Sequence, residues 1–383
     1  MAGAAEVSDV IVIGAGIAGA SVAAELAIGG HKVIVLERED QPGYHTTGRS
    51  AAMFIPTYGP PGVRCLTIAG RDWFEGIRRN GLSETEVLKP CGVLWLAVPG
   101  DEERIAGMRK DAAAASVDLQ PLTPKEAVGI VPILREDGLA SALLETYAPS
   151  LDVAAILQAR LRQIRRAGSR IELKAEVVAL STRNGIWTVR TGDGRLLEAP
   201  VVVNASGAWC DVIGRMAGAQ PMGLQPMRRT IVTVDPPAGM DTSRWPLTGD
   251  LQHTYYFKAE AGQLWVSPAD ETPAPPQDIQ PEELDVAIAI DRFMSTTTMN
   301  VRQKGRSWAG LRCFVPDHEL VIGFAPDREG FFWLAGQGGY GIQTSVAASM
   351  LAASLIEKRP PPPALVEAGV DPKATSPARL VRA

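Results

Sequence analysis

The stretch Asp9 to Arg38, DVIVIGAGIAGASVAAELAIGGHKVIVLER, constrains the fold of this chain more than any other. Val10 to Ile13 are β-branched aliphatics, suited to a strand buried on both faces. Gly14, Gly16 and Gly19 follow as G-x-G-x-x-G, with Ile17 and Ala18 between the last two, and an Ala-rich segment reads as a helix to about Ile28. Lys32 to Leu36 reads as a second strand, ending on Glu37. Gly14 permits the tight turn, Gly16 lets backbone approach a pyrophosphate, and Gly19 lets the helix lie close to the sheet. The helix N-terminus offers N–H groups and positive partial charge to phosphates. Glu37 is placed to hydrogen-bond an adenosine ribose. Alone, this unit predicts a dinucleotide site, for NAD or for FAD.

The 383 residues suffice for two domains, and 46% hydrophobic with 21% charged residues is ordinary for a globular protein. A net charge of −5 without a basic run argues against a nucleic-acid partner. Cys65, Cys91, Cys210 and Cys313 are widely spaced, with no C-x-x-C, which fits free thiols in a reducing compartment and argues against structural zinc. No metal site is expected. Glu6 and Asp9 precede the first apolar stretch and Glu25 interrupts it, so it reads as neither signal peptide nor membrane span. The expectation is a cytoplasmic protein with no integral membrane segment. No Ser/His/Asp pattern and no H-E-x-x-H supports a hydrolase.

The loop Glu39 to Ser50 turns at Pro42 and Gly43, then gathers Thr46, Thr47, Arg49 and Ser50 just past the ribose-binding acid. Helical periodicity spans Pro61 to about Asn80, Asp101 to Ala115 and Asp152 to Ala167, and Thr123 with Glu126 forms a capping box. Glu172 to Leu180, Ile186 to Arg190 and Leu196 to Glu198 read as strands, and PVVVNASG (200–207) as another buried one. From Gln225 to about Arg312 the strands alternate and Pro-rich loops separate them, as in an antiparallel domain. Pro281 to Met294 reads as a helix.

A second Gly-rich turn comes late, in Phe331 to Ser345, FFWLAGQGGYGIQTS. A strand to Ala335 leads through Gly336 to Gly341 into an Ala-rich helix ending near Ile356. Two such turns far apart fit a cofactor long enough to reach both, with a negatively charged group at the second helix N-terminus. A reduced isoalloxazine carries that charge, which favours FAD over NAD.

With these motifs in view, the chain resembles the flavin-dependent D-amino acid oxidase and glycine oxidase superfamily over about residues 7 to 358. Within it, QPGYHTTGRSAA, VVNASGAWCD, GLQPMRR, WAGLR and FFWLAGQGGYGIQTS look most like bacterial D-arginine dehydrogenase. The resemblance implies an α/β fold: a Rossmann-like FAD domain (6–80, 149–222 and 319–358) and an α+β substrate domain (81–148 and 223–318) whose antiparallel sheet roofs the substrate. It implies non-covalent FAD along Gly14 to Gly19, Glu37, Arg38, Thr47, Gly48, Arg49, Ser50, Ala51, Ala52, Val177, Ser206, Gly207 and Gly338 through Tyr340, Gly341 and Ile342 to Gln343. Tyr58 and Tyr256 would flank the substrate, Arg229 and Arg312 would hold its carboxylate, and Gly339 and Gln343 would complete the wall. A guanidinium suits a carboxylate through paired N–H donors, although Arg228 competes with Arg229 for that role.

The chain departs from the D-arginine enzyme at the substrate side chain. Gly92 stands where that enzyme carries a glutamate, and Met53, Ile55 and Leu247 are apolar. A buried guanidinium without an acid would be costly. An apolar or aromatic D-amino acid is therefore expected over D-arginine, with Gly92 adding room, unless Glu84 or Glu86 supplies a replacement acid. Hydride loss to FAD would give an imino acid, hydrolysed to a 2-oxo acid and ammonia. Glycine, sarcosine or another N-alkyl amino acid is the alternative; an NAD-dependent dehydrogenase and a non-catalytic flavoprotein rank lower. The electron acceptor, whether oxygen, a quinone or an artificial dye, stays open, as does the oligomeric state.

Overall fold

The computed structural model describes residues 5–381. Val10–Ile13 lies inside a six-stranded sheet ordered Val321–Phe324, Phe331–Ala335, Val201–Asn204, Val10–Ile13, Val33–Leu36, Arg170–Glu172. Its pairs are parallel except the one between Val321–Phe324 and Phe331–Ala335. Both faces are covered, which explains the unbroken aliphatic runs. Val10, Val12, Val33 and Val35 pack on the helices Ile17–Ile28, Val153–Arg166 and Gly341–Ile356. Ile11, Ile13, Ile34 and Leu36 face the other way, onto a four-stranded sheet carrying Trp187, Val189 and Leu197.

The second sheet has nine strands, all drawn from 81–148 and 223–318. Its core is antiparallel, but Leu247–Asp250 runs parallel to Val93–Ala97, so the sheet is mixed rather than wholly antiparallel. Side-chain alternation divides its faces. Leu94 and Leu96 turn toward Ala127, Val286, Ala289 and Phe293 of the outer helices. Val93, Trp95 and Ala97 turn inward with Met53, Ile55 and Leu247.

Two expected elements divide. The helix expected over Pro61 to Asn80 is two, Pro61–Ala69 and Arg71–Gly76, joined at Gly70. The strand expected over Glu172 to Leu180 is also two: Arg170–Glu172 ends in one sheet, Lys174 turns at φ 53°, and Val177–Arg183 begins in the other. Asp152 caps its helix and the Thr123–Glu126 capping box is present. No helix among the described residues is long and apolar enough to cross a membrane.

Candidate active site

A cleft opens at the carboxyl ends of the parallel strands, where α/β sheets bind ligands. Its first part is lined by Gly14, Gly16, Glu37, Arg38, Thr47, Val177, Ser206 and Gly207. Gly14 has φ +102°, and a Cβ on it would lie 2.5 Å from the Ala205 carbonyl oxygen. A Cβ on Gly19 would meet the Gly14 oxygen at 1.9 Å, so Gly19 serves the turn from behind the cleft. Glu37 is buried and fixed by N–H groups of Ala15 (2.8 Å) and Glu39 (3.0 Å), with lone pairs left for a ribose. The helix opening at Ile17 has no acid in its first turn. The Thr47 hydroxyl accepts the Ile17 N–H at 3.0 Å, closing the turn at the helix start. Arg38 stacks 4.9 Å over Trp209.

The second part shares Gly16, Thr46, Thr47, Ala205 and Gly207 with the first and continues past Ile17, Ala18, Ser50 and Ala51 to Gly338, Gly339, Gly341 and Ile342. Helix Gly341–Ile356 also lacks an acid in its first turn. Gly338 has φ +49°, and a Cβ there would strike the Phe314 and Tyr340 rings at 2.6 and 2.7 Å. Three expected cofactor residues do other work. Tyr340 is buried with its ring against Tyr58 and Phe314, so only its backbone serves the turn. Gly48 lies against the Gly43 carbonyl and lines neither part. Arg49 lines the cleft, but its guanidinium binds Asp278 and the carbonyls of Ile279 and Ala309 (3.0 Å each), tying the cofactor loop to the segment that leads to and includes strand Ser307–Phe314 of the nine-stranded sheet.

A third cavity joins the second at Ser50, Ala51, Arg229, Tyr256, Arg312 and Gly339. Strand register sets its chemistry. Arg229 in Gln225–Val234 pairs with Gly310 of Ser307–Phe314, and Arg312 is two residues beyond Gly310, so both arginines share one face. Arg228 faces the opposite side, donating to Asp285 at 2.8 Å and to Glu282. That removes Arg228 as a rival. Arg312 donates to the Tyr58 hydroxyl at 3.2 Å. A Cβ on Gly339 would lie 2.6 Å from Arg312 Nη1, so any side chain there would displace that guanidinium. Gln343 is buried, with its amide committed: the oxygen accepts the Ile55 N–H at 3.0 Å and the nitrogen donates to Thr67 at 2.9 Å. It holds the wall in place.

Met53, Ile55, Leu247 and Ala52 line this cavity. Gly92 does not, and the expectation that it adds room fails. A Cβ there would sit 3.2 Å from the Glu145 carbonyl oxygen and 3.7 Å from Pro246, so neighbours already fill the place. Glu84 and Glu86 are exposed and outside the lining as well. The acid that reaches the cavity is Glu271, 2.9 Å from Arg229 Nη2. Sequence reading missed it by treating 271–277 as a Pro-rich loop; the signal was an acid a few residues beyond a roof strand. It missed Trp95 and His253 too. His253 turns at φ +54° and sets its ring 5.1 Å from Trp95 and 6.2 Å from Tyr58. Partial desolvation pushes its pKa down, which favours the neutral imidazole.

A family model described as FAD dependent oxidoreductase matches residues 9–355. The chain belongs to this family. The tRNA 5-methylaminomethyl-2-thiouridine biosynthesis bifunctional protein MnmC of Paracidovorax citrulli is 26% identical over 386 residues, covering 93% of this chain and 58% of that protein. The chain thus spans a little over half of that relative's length. L-proline dehydrogenase from P. horikoshii has a TM-score of 0.84 at 23% identity, with 98% of each chain covered. Glycine oxidase from Geobacillus kaustophilus has a TM-score of 0.84 at 22% identity, with 99% of each covered. These likenesses place the chain in the superfamily fold and do not single out D-arginine dehydrogenase, toward which the motifs pointed. The cleft of this FAD dependent oxidoreductase fits the cofactor: two acid-free helix N-termini, glycines where a Cβ would clash, and a buried carboxylate held for a ribose. Glu37, Ile17, Ala18 and Thr47 would hold the adenosine diphosphate half; Ala51, Gly338, Gly341 and Ile342 would hold the flavin half.

Proposed function

We propose that this FAD dependent oxidoreductase oxidatively deaminates a D-amino acid with an apolar or aromatic side chain. The observation that carries the reading is the pair Arg229 and Arg312. Two guanidiniums on one sheet face point into a cavity that opens directly onto the flavin half of the cleft. Such a pair suits a carboxylate. Met53, Ile55, Leu247 and Trp95 then offer an apolar wall to the rest of the substrate. The D configuration rests on the sequence resemblance.

In this reading the arginines fix the carboxylate, and so the direction of the Cα–H bond. Tyr58, held by Arg312, and Tyr256, at the junction of the two cavities, close over the amine. Gln343 holds Ile55 and with it that part of the cavity wall. FAD, when bound, supplies the two-electron acceptor for the hydride leaving Cα. The neutral amine's lone pair forms the imine, and water hydrolyses the imino acid to a 2-oxo acid and ammonia. Positioning does most of the protein's work. In this reading the flavin is non-covalent, which the burial of Cys313, the cysteine in the flavin half, supports: burial pushes its thiol up, away from the nucleophilic thiolate.

A second reading, oxidation of glycine, proline or an N-alkyl amino acid, draws support from the names of the relatives and from the same carboxylate clamp. Anaerobic bleaching of flavin absorbance by a panel of D-, L- and N-methyl amino acids separates the two. The first reading requires D-leucine, D-methionine or D-phenylalanine to bleach faster than D-arginine, sarcosine and L-proline. Fastest bleaching by D-arginine overturns it; fastest bleaching by sarcosine or L-proline selects the second.

A further inference from the structure

Glu271 is the one carboxylate lining the substrate cavity among the described residues, and the reaction proposed above does not use it. Its neighbour Asp270 anchors the loop, its carboxylate accepting the Thr230 N–H at 2.7 Å and hydroxyl at 2.9 Å. The Asp270 carbonyl takes Arg229 Nε at 2.8 Å, and Glu271 reaches Arg229 Nη2 at 2.9 Å. The two partners of this ion pair differ in freedom. The Arg229 side chain is 11% exposed and that of Glu271 is 45% exposed. Water can solvate the carboxylate when it leaves, whereas the desolvated guanidinium must keep an anion. Burial, and then the Arg312 charge on the same face, push the Arg229 pKa down, so an anion beside it offsets a real cost.

We propose that Glu271 is a displaceable counter-ion: it holds Arg229 in the substrate-free enzyme and gives up Nη2 to the incoming carboxylate of the substrate. One anion replaces another on the same donor, so the charge at Arg229 stays balanced throughout. Glu271 thereby sets a threshold that only a carboxylate well placed for both arginines passes. With its side chain 45% exposed, Glu271 is already at the solvent edge when it is released. The proposal rests on Arg229 as a carboxylate anchor.

The test is titration of the FAD-loaded protein with 3-methylbutanoate, a monocarboxylate with an apolar tail and no amine, followed by flavin absorbance. Glu271→Gln keeps the side-chain length and removes the charge. It is expected to tighten binding about fivefold, the upper range for a partly exposed pair. Arg229→Ala should weaken binding, and in that background Glu271→Gln should have no further effect. Unchanged or weaker binding in Glu271→Gln, with Arg229→Ala still impaired, overturns the exchange and leaves the anchor standing. Wild-type binding in Arg229→Ala removes the anchor itself, and the exchange with it.

Discussion

Arg228 and Arg229 are adjacent on one strand and serve opposite sides of it: Arg228 is locked to Asp285 at 2.8 Å, while Arg229 reaches Glu271 at 2.9 Å in the substrate cavity. Their substitutions should therefore fail in different ways. Arg229→Ala removes charge-assisted donors from the carboxylate and should lower kcat/KM roughly thirtyfold, chiefly through KM. Arg228→Ala strands the buried Asp285 carboxylate and should cost about 3 kcal/mol of stability. Steady-state kinetics and thermal melts on both variants check this. A kinetic loss confined to Arg228→Ala would reverse the assignment.

Gly339 is a second point where backbone and arginine meet. A Cβ there would lie 2.6 Å from Arg312 Nη1 and 2.8 Å from its Cζ. Gly339→Ala should push the guanidinium off the carboxylate, and a misplacement of about 1 Å is worth about 100-fold in rate. Flavin content, measured alongside kcat/KM, separates lost positioning from lost cofactor. Near wild-type kcat/KM would mean that Arg312 relaxes without consequence.

The cofactor half of the site was legible because its requirements are local. Gly14, Gly16, Gly19 and Glu37 lie within one βαβ unit, and their backbone geometry follows from residue type. The substrate half depends on strand register, which sequence does not print. Arg228 and Arg229 are equivalent as letters; only pairing with Ser307–Phe314 tells which faces Arg312. Gly92 looked like space because it replaces a larger residue, yet the Glu145 carbonyl and Pro246 occupy that place. Glu271 reaches the cavity only because Asp270, its neighbour, is pinned to Thr230, a contact across 40 residues.

Arg49 makes a prediction about cofactor retention. Its guanidinium joins Asp278 and the Ile279 and Ala309 carbonyls, all more than 200 residues along the chain, while the residue itself lines the cleft. Arg49→Ala releases three bonds that hold the cofactor loop Thr46–Arg49 against those residues. FAD dissociation should rise about tenfold, the scale of one charge-assisted hydrogen bond. Fluorescence of released FAD measures it directly. Retention equal to wild type would show that the loop holds its shape without this fastening.

Glu145 predicts a pH dependence of stability. The residue is fully buried on the strand beside Val93–Ala97, and it accepts the Thr57 hydroxyl at 2.7 Å. Burial raises its pKa from 4.5 to about 7, with the Thr57 and Trp95 contacts only partly opposing. The sign follows from proton counts. Between these two values the unfolded chain has released a proton that the folded chain still holds, so this group lowers stability as pH rises. The cost is absent below 4.5 and fully developed above about 7. Glutamine can keep the Thr57 contact and cannot ionise. Glu145→Gln should thus gain on the wild type progressively across that window, by a few kcal/mol at most, and hold a constant lead above it. Melting temperatures of both proteins at closely spaced pH values test this. A difference that stays flat from pH 4.5 to 7 would mean that Glu145 ionises as readily in the folded protein as in the unfolded chain.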